Sequence, residues 1–150
     1  MKDIQLTPHF KLSEFTKSST ATVRHIDNTP NEEQIANLRY LCEQILEPLR
    51  QHFNTPVLIS SGYRCPELNK AVGGSKTSNH MFGYAADLHI PDIATGREWF
   101  TWIKDNCQFD ELIWEHSTPT SNDYWIHVAI HRNGPNRQKV VHTLVKYWDK

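Results

Sequence analysis

The run Ser78-Asn79-His80-Met81-Phe82-Gly83-Tyr84-Ala85-Ala86-Asp87 sets an imidazole and a carboxylate seven positions apart. Gly83 allows a sharp backbone turn between them, and Ala85 and Ala86 leave room for backbone and metal to approach. A third donor, His127, sits in Trp125-Ile126-His127-Val128-Ala129. Two histidines and one carboxylate form the ligand set of a catalytic zinc site, with the fourth position left to water. The competing reading is structural, because a lone histidine on a strand is commonly a satisfied polar residue. Asp87 resists that reading: a charge among apolar strand neighbours must be paired or bind a metal.

Those three side chains converge only if the elements that carry them are neighbours. Tyr84–Ile90 reads as a strand closed by Pro91. Tyr124–His131 alternates, with Tyr124, Ile126, Val128 and Ile130 on one face and Trp125, His127, Ala129 and His131 on the other. Paired in one sheet, the two strands point Asp87 and His127 from the same face, and His80 arrives from the adjoining loop. His131, four residues beyond His127, falls ~13 Å away at strand rise and is too far to share one ion.

The remaining elements supply a scaffold. Thr29-Pro30-Asn31-Glu32 carries a helix-start pattern with Thr29 as cap. Ile35, Leu38, Leu41, Cys42, Ile45 and Leu49 then recur at helical spacing up to about Phe53. Pro56–Ser60 reads as a strand, Pro66–Val72 as a short helix stopped by Gly73-Gly74, and 74–83 as loop. Thr95-Gly96-Arg97-Glu98 repeats the capping pattern before a helix with Trp99 and Trp102 in its core-facing stripe. Asp110–Glu115 reads as a strand, and Val140–Trp148 as a closing one. Residues 1–28 read as an irregular lead-in pinned by Phe10, Leu12 and Phe15. The order predicts one α+β domain over 1–150, helices packed on a mainly antiparallel sheet.

Composition narrows the function classes. The chain of 150 residues is 38% hydrophobic and 22% charged, which suits a globular core. A net charge of −1 lacks the basic footprint of a nucleic-acid binder or a polybasic membrane anchor. No apolar run approaches the ~20 residues of a membrane helix. No apolar stretch follows the N-terminal lysine, so no signal peptide is read. Cys42, Cys65 and Cys107 are scattered and odd in number, and are read as reduced. A monomer is the expected state.

Ser78-x-His80-x-x-Gly83-x-Ala85-x-Asp87, preceded by Ser61-Gly62-Tyr63-Arg64 and followed by Trp125-Ile126-His127-Val128, resembles the M15 family of zinc D-Ala-D-Ala carboxypeptidases and related phage endolysins. The resemblance covers roughly residues 10 to 142, with three separated motifs in the right order. It implies a fold of the hedgehog/DD-peptidase type and one Zn2+ held by His80, Asp87 and His127. It also implies a general-base carboxylate, an arginine near the site and a peptidoglycan peptide as substrate. Synthesis in the cytoplasm followed by release to the wall, as for a phage lysin, fits that picture.

One departure bears on catalysis. Several branches of the family carry the base three residues before the last histidine, where this chain has Tyr124. Glu115, at the end of Leu112-Ile113-Trp114, is the preferred replacement, and Asp123 the alternative. Arg64 is expected at the substrate, against a structural role capping the next helix or pairing with Glu67. Ser78 is a candidate to orient His80. Tyr63, His116 and Trp125 are candidates to touch substrate or line the pocket, and His89 to reach it or merely pack. The missing carboxylate keeps open a second function class, a non-catalytic zinc-containing module that binds cell wall.

Overall fold

A computed structural model describes residues 3–117, 120 and 123–142. The N-terminal stretch is ordered rather than irregular. It forms strands β1 (Gln5–Thr7) and β2 (Phe10–Lys11), then helices α1 (Ser13–Thr16) and α2 (Ser19–Arg24). Its apolar residues explain the order, because Phe10, Leu12 and Phe15 are buried in the main core.

The long helical run starts later than the Thr29 pattern predicts. Asn31 is the cap of α3 (Glu32–Leu41), and its side chain and that of Gln34 satisfy each other's backbone amides in a capping box. The run continues through a π-helical turn (Cys42–Leu46) into α4 (Glu47–Phe53). Pro48 gives no amide to the preceding turn, so the widened turn falls where the regular ladder would lose a bond. Leu38, Leu41, Ile45 and Leu49 form the buried stripe.

Five strands make the main sheet: β3 (Leu58–Ser61), β4 (Ala85–His89), β5 (Glu111–His116), β6 (Tyr124–Ala129) and β7 (Lys139–His142). Their order is β3-β4-β6-β5-β7, antiparallel except for the parallel β5–β7 pair. The rest of the expected closing strand, 143–148, lies outside the described residues. Between strands run α5 (Pro66–Ala71), a 3-10 turn (Asn79–Phe82) and α6 (Ile93–Asn106). Asp92 caps α6 through the Thr95 amide, so this helix starts three residues before the predicted Gly96. One face of the sheet packs Leu88, Leu112, Trp114, Ile126 and Val128 into the core with Trp99 and Phe100 of α6. Trp102, half-buried, stacks on His52 at the margin. No helix among the described residues is long and apolar enough to cross a membrane.

Candidate metal centre

Strand parity builds the site. Asp87 of β4 and Ile113 of β5 both stand opposite His127 of β6, so the three residues share the face turned away from the helices. Glu111 and Glu115 flank Ile113 by two positions and share that face. His80 comes from the 3-10 turn, which closes on Gly83 at φ 77°. A Cβ there would sit 2.5 Å from the Gln34 carbonyl oxygen, so glycine is required twice over. Helix α3 holds the turn through Asn37, whose amide donates to the Phe82 carbonyl at 2.8 Å.

His80, Asp87 and His127 each aim one donor atom at a common point, all within 4.8 Å of one another. Asp87 Oδ1 is 3.3 Å from His80 Nε2 and 3.0 Å from His127 Nδ1. The His80 ring is fixed from behind, with Nδ1 2.7 Å from the Gly62 carbonyl oxygen. The histidines are 2% and 9% exposed, so both imidazoles are largely withdrawn from solvent. Burial alone would raise the Asp87 pKa, but hydrogen bonds and charge from His127 and His80 hold it well below the usual carboxylate range. His127 is pushed up to about 9: burial opposes its charge, and contacts with Asp87 and Glu111 outweigh that. Two imidazoles and a buried anion around one point suit a divalent cation with nitrogen and oxygen preference, so the donor set fits zinc.

The cluster opens on a cavity of about 700 Å³. Arg64, Ser78, Glu115, Trp125 and His127 line it, together with Asn79, Glu111, His131 and Arg137. Burial raises the Glu115 carboxyl above its ordinary value, against the attraction of His127. Arg64 donates to Ser78 Oγ at 3.3 Å, and burial lowers its pKa despite the nearby charges of Asp87 and Glu115. No ion pair joins Arg64 to Glu67 among the described residues. Its backbone is clamped: its amide donates to the His80 carbonyl at 3.1 Å, and Asn28 bonds the Tyr63 carbonyl and the Cys65 amide on either side.

A family model described as Peptidase M15 matches residues 8–129. The chain belongs to the peptidase M15 family. A search of curated proteins found no match. The matched span of this M15 domain holds Arg64, Glu115 and all three clustered donors.

Other expected site residues fall elsewhere. Consecutive strand residues face opposite ways, so His116 turns from the cavity that Glu115 enters and meets the Tyr124 ring. Tyr124 stacks on Trp114 on that core side. Tyr63 is a core residue, 5% exposed, and does not line the metal cavity. Ser78 touches the His80 backbone amide at 3.2 Å and Arg64, not the imidazole. Asp123, just before β6, accepts from the Ser117 amide and hydroxyl and does not line the cavity. His89 is exposed and also outside it. His131 sits at the cavity wall, 3.1 Å from Asn79 Oδ1 and outside the cluster.

Sequence reasoning missed Glu111. Its Oε1 lies 3.5 Å from His127 Nε2, the nitrogen turned away from Asp87. Asn79 donates to the same oxygen at 3.4 Å, and Arg137 reaches the other at 3.4 Å. Strand parity was the available signal, since Glu111 is four residues from Glu115 and two from Ile113, which pairs with His127.

Proposed function

We propose that this chain is a zinc-dependent peptidase that hydrolyses a peptide bond in the stem peptides of peptidoglycan, of D-Ala-D-Ala carboxypeptidase or L-Ala-D-Glu endopeptidase type. The observation that carries this reading is the buried His80–Asp87–His127 cluster opening on a cleft that Glu115 and Arg64 also enter. When bound, zinc supplies Lewis acidity, lowering the pKa of a water to ~7 and polarising a carbonyl. His80 and His127 would hold it as neutral imidazoles and Asp87 as a carboxylate.

The chain's own groups do the rest. Glu115 accepts the proton of the attacking water and returns it to the leaving amine. Its partial burial raises its basicity toward the working range of such a group. Arg64 presents a planar fork suited to a substrate carboxylate or to the oxygen where charge develops. Trp125 gives the cleft a wall. The presence of Glu115 in the cleft favours turnover over a binding module, since a module needs no proton acceptor there.

Two measurements test the reading together. Protein purified without added metal should contain about one equivalent of zinc by elemental analysis. Purified cell wall should be cleaved in a chelator-sensitive way, with the bond identified by mass spectrometry of the fragments. Full zinc content with intact wall under all conditions would leave a binding module and sink the peptidase.

A further inference from the structure

The Ser61-Gly62-Tyr63-Arg64 segment borders two cavities, and only one contains the metal cluster. The second, about 270 Å³, lies between the start of α2 and the exposed side of β3. Lys17, Ser19, Ser61, Tyr63 and Arg64 line it, with Leu68 in its apolar part. Arg64 lines both, so the two cavities adjoin at this residue.

The chemistry of this second cavity is one-sided. Its lining contains two cations and no acidic side chain. Lys17 makes no ion pair among the described residues, although the chain carries as many as 17 acidic residues. Among the described residues the hydroxyls of Ser19 and Ser61 have no hydrogen-bond partner, in contrast to Ser18 and Ser60, which bond to the backbone. Arg64 has Asp87 and Glu115 near it on the cleft side, so Lys17 is the charge left for a ligand, and with the hydroxyls of Ser19 and Ser61 it suits an anion with several acceptor oxygens. Because the two cavities share a lining residue, they lie about one side chain apart, a separation that an extended peptide can span.

We propose that the cavity between α2 and β3 is a second substrate subsite, in which Lys17, Ser19 and Ser61 receive a free carboxylate of an acidic residue of the peptide whose scissile bond lies in the metal cleft. The inference rests on the peptidase reading for the nature of the ligand. A γ-linked D-glutamate offers such a group, because linkage through the side chain leaves its α-carboxylate free. Selectivity would then reside outside the catalytic residues: the metal cleft sets the chemistry, and the second cavity sets which peptide register is held.

The test uses two probes, the peptide L-Ala-γ-D-Glu-L-Lys-D-Ala and its analogue with the glutamate α-carboxylate converted to a carboxamide. Each is titrated into the protein and into Lys17→Gln, with amide NMR shifts reporting location and affinity. Cleavage of the same samples is followed by mass spectrometry. The carboxylate peptide should shift the Lys17, Ser19 and Ser61 amides and bind about tenfold more tightly than the carboxamide. Lys17→Gln should erase that difference while leaving carboxamide binding unchanged. Equal affinity for the two peptides, or a preference that survives Lys17→Gln, overturns the subsite. Carboxylate-selective binding without cleavage supports the subsite and counts against the peptidase; cleavage without selectivity does the opposite. Lys17 is exposed and caps no core contact, so the variant should fold.

Discussion

Glu111 places a carboxylate oxygen 3.5 Å from Nε2 of His127, so the imidazole is held between two acids, with Asp87 3.0 Å from its other nitrogen. A carboxylate behind a ligating histidine fixes ring orientation and tautomer and raises the basicity of the ligating nitrogen. Glu111→Gln keeps the shape and removes the charge. It should weaken zinc affinity ~10-fold or more, read by competition with a chromophoric chelator. An unchanged affinity would mean that Asp87 and the strand alone position His127.

Glu115→Gln should retain zinc and melting temperature and lose ~10²–10⁴-fold in turnover, the usual range for loss of a general base. Asp123 is engaged with Ser117 outside the cavity. Asp123→Asn should therefore leave kcat within about twofold, on the scale of an exposed substitution. The reverse pattern in steady-state kinetics would assign the base to Asp123.

Arg64→Lys retains the charge and abolishes the planar fork. Zinc content and melting temperature should hold, while kcat/KM falls ~10-fold, about 1.4 kcal/mol of transition-state binding. Ser78→Ala removes the hydroxyl that Arg64 and the His80 amide share, so its larger effect should be on kcat/KM rather than on zinc affinity. Early melting of Arg64→Lys with normal activity per folded molecule would make this residue a structural one.

Acid stability should depend on Glu47, which lies away from the site. Burial alone would raise its pKa, but hydrogen bonds from His9 and Gln51 to the carboxylate hold it at about 2, below an ordinary value of 4.5. A depressed folded pKa stabilises above the unfolded value and is lost as pH falls through the folded one. The contribution is therefore full above pH 4.5 and declines toward pH 2. Glu47→Gln should lower the melting temperature at pH 6 by roughly 4 °C, for a loss of about 1 kcal/mol, and flatten the acid slope across that window. Parallel acid curves for both proteins would show that this carboxylate is not the source.

The candidate donors His80, Asp87 and His127 were legible from one dimension because each is marked by a local pattern. A histidine and an aspartate flanking Gly83, and strand alternation around His127, follow from short-range geometry, while their convergence depends on β4 pairing with β6. The same rule could have excluded His116, since it and Glu115 are adjacent on one strand and cannot face one cavity. The buried stripe of α3 and α4 was equally visible in its period. Only the tertiary structure joined Glu111 to His127, the Gly62 carbonyl to His80, and Asn28 to both sides of Arg64. Those contacts cross 16, 18 and about 35 positions of chain. Their existence depends on which strands pair and where loops return, choices set by the collective packing of the core and not by any local residue pattern.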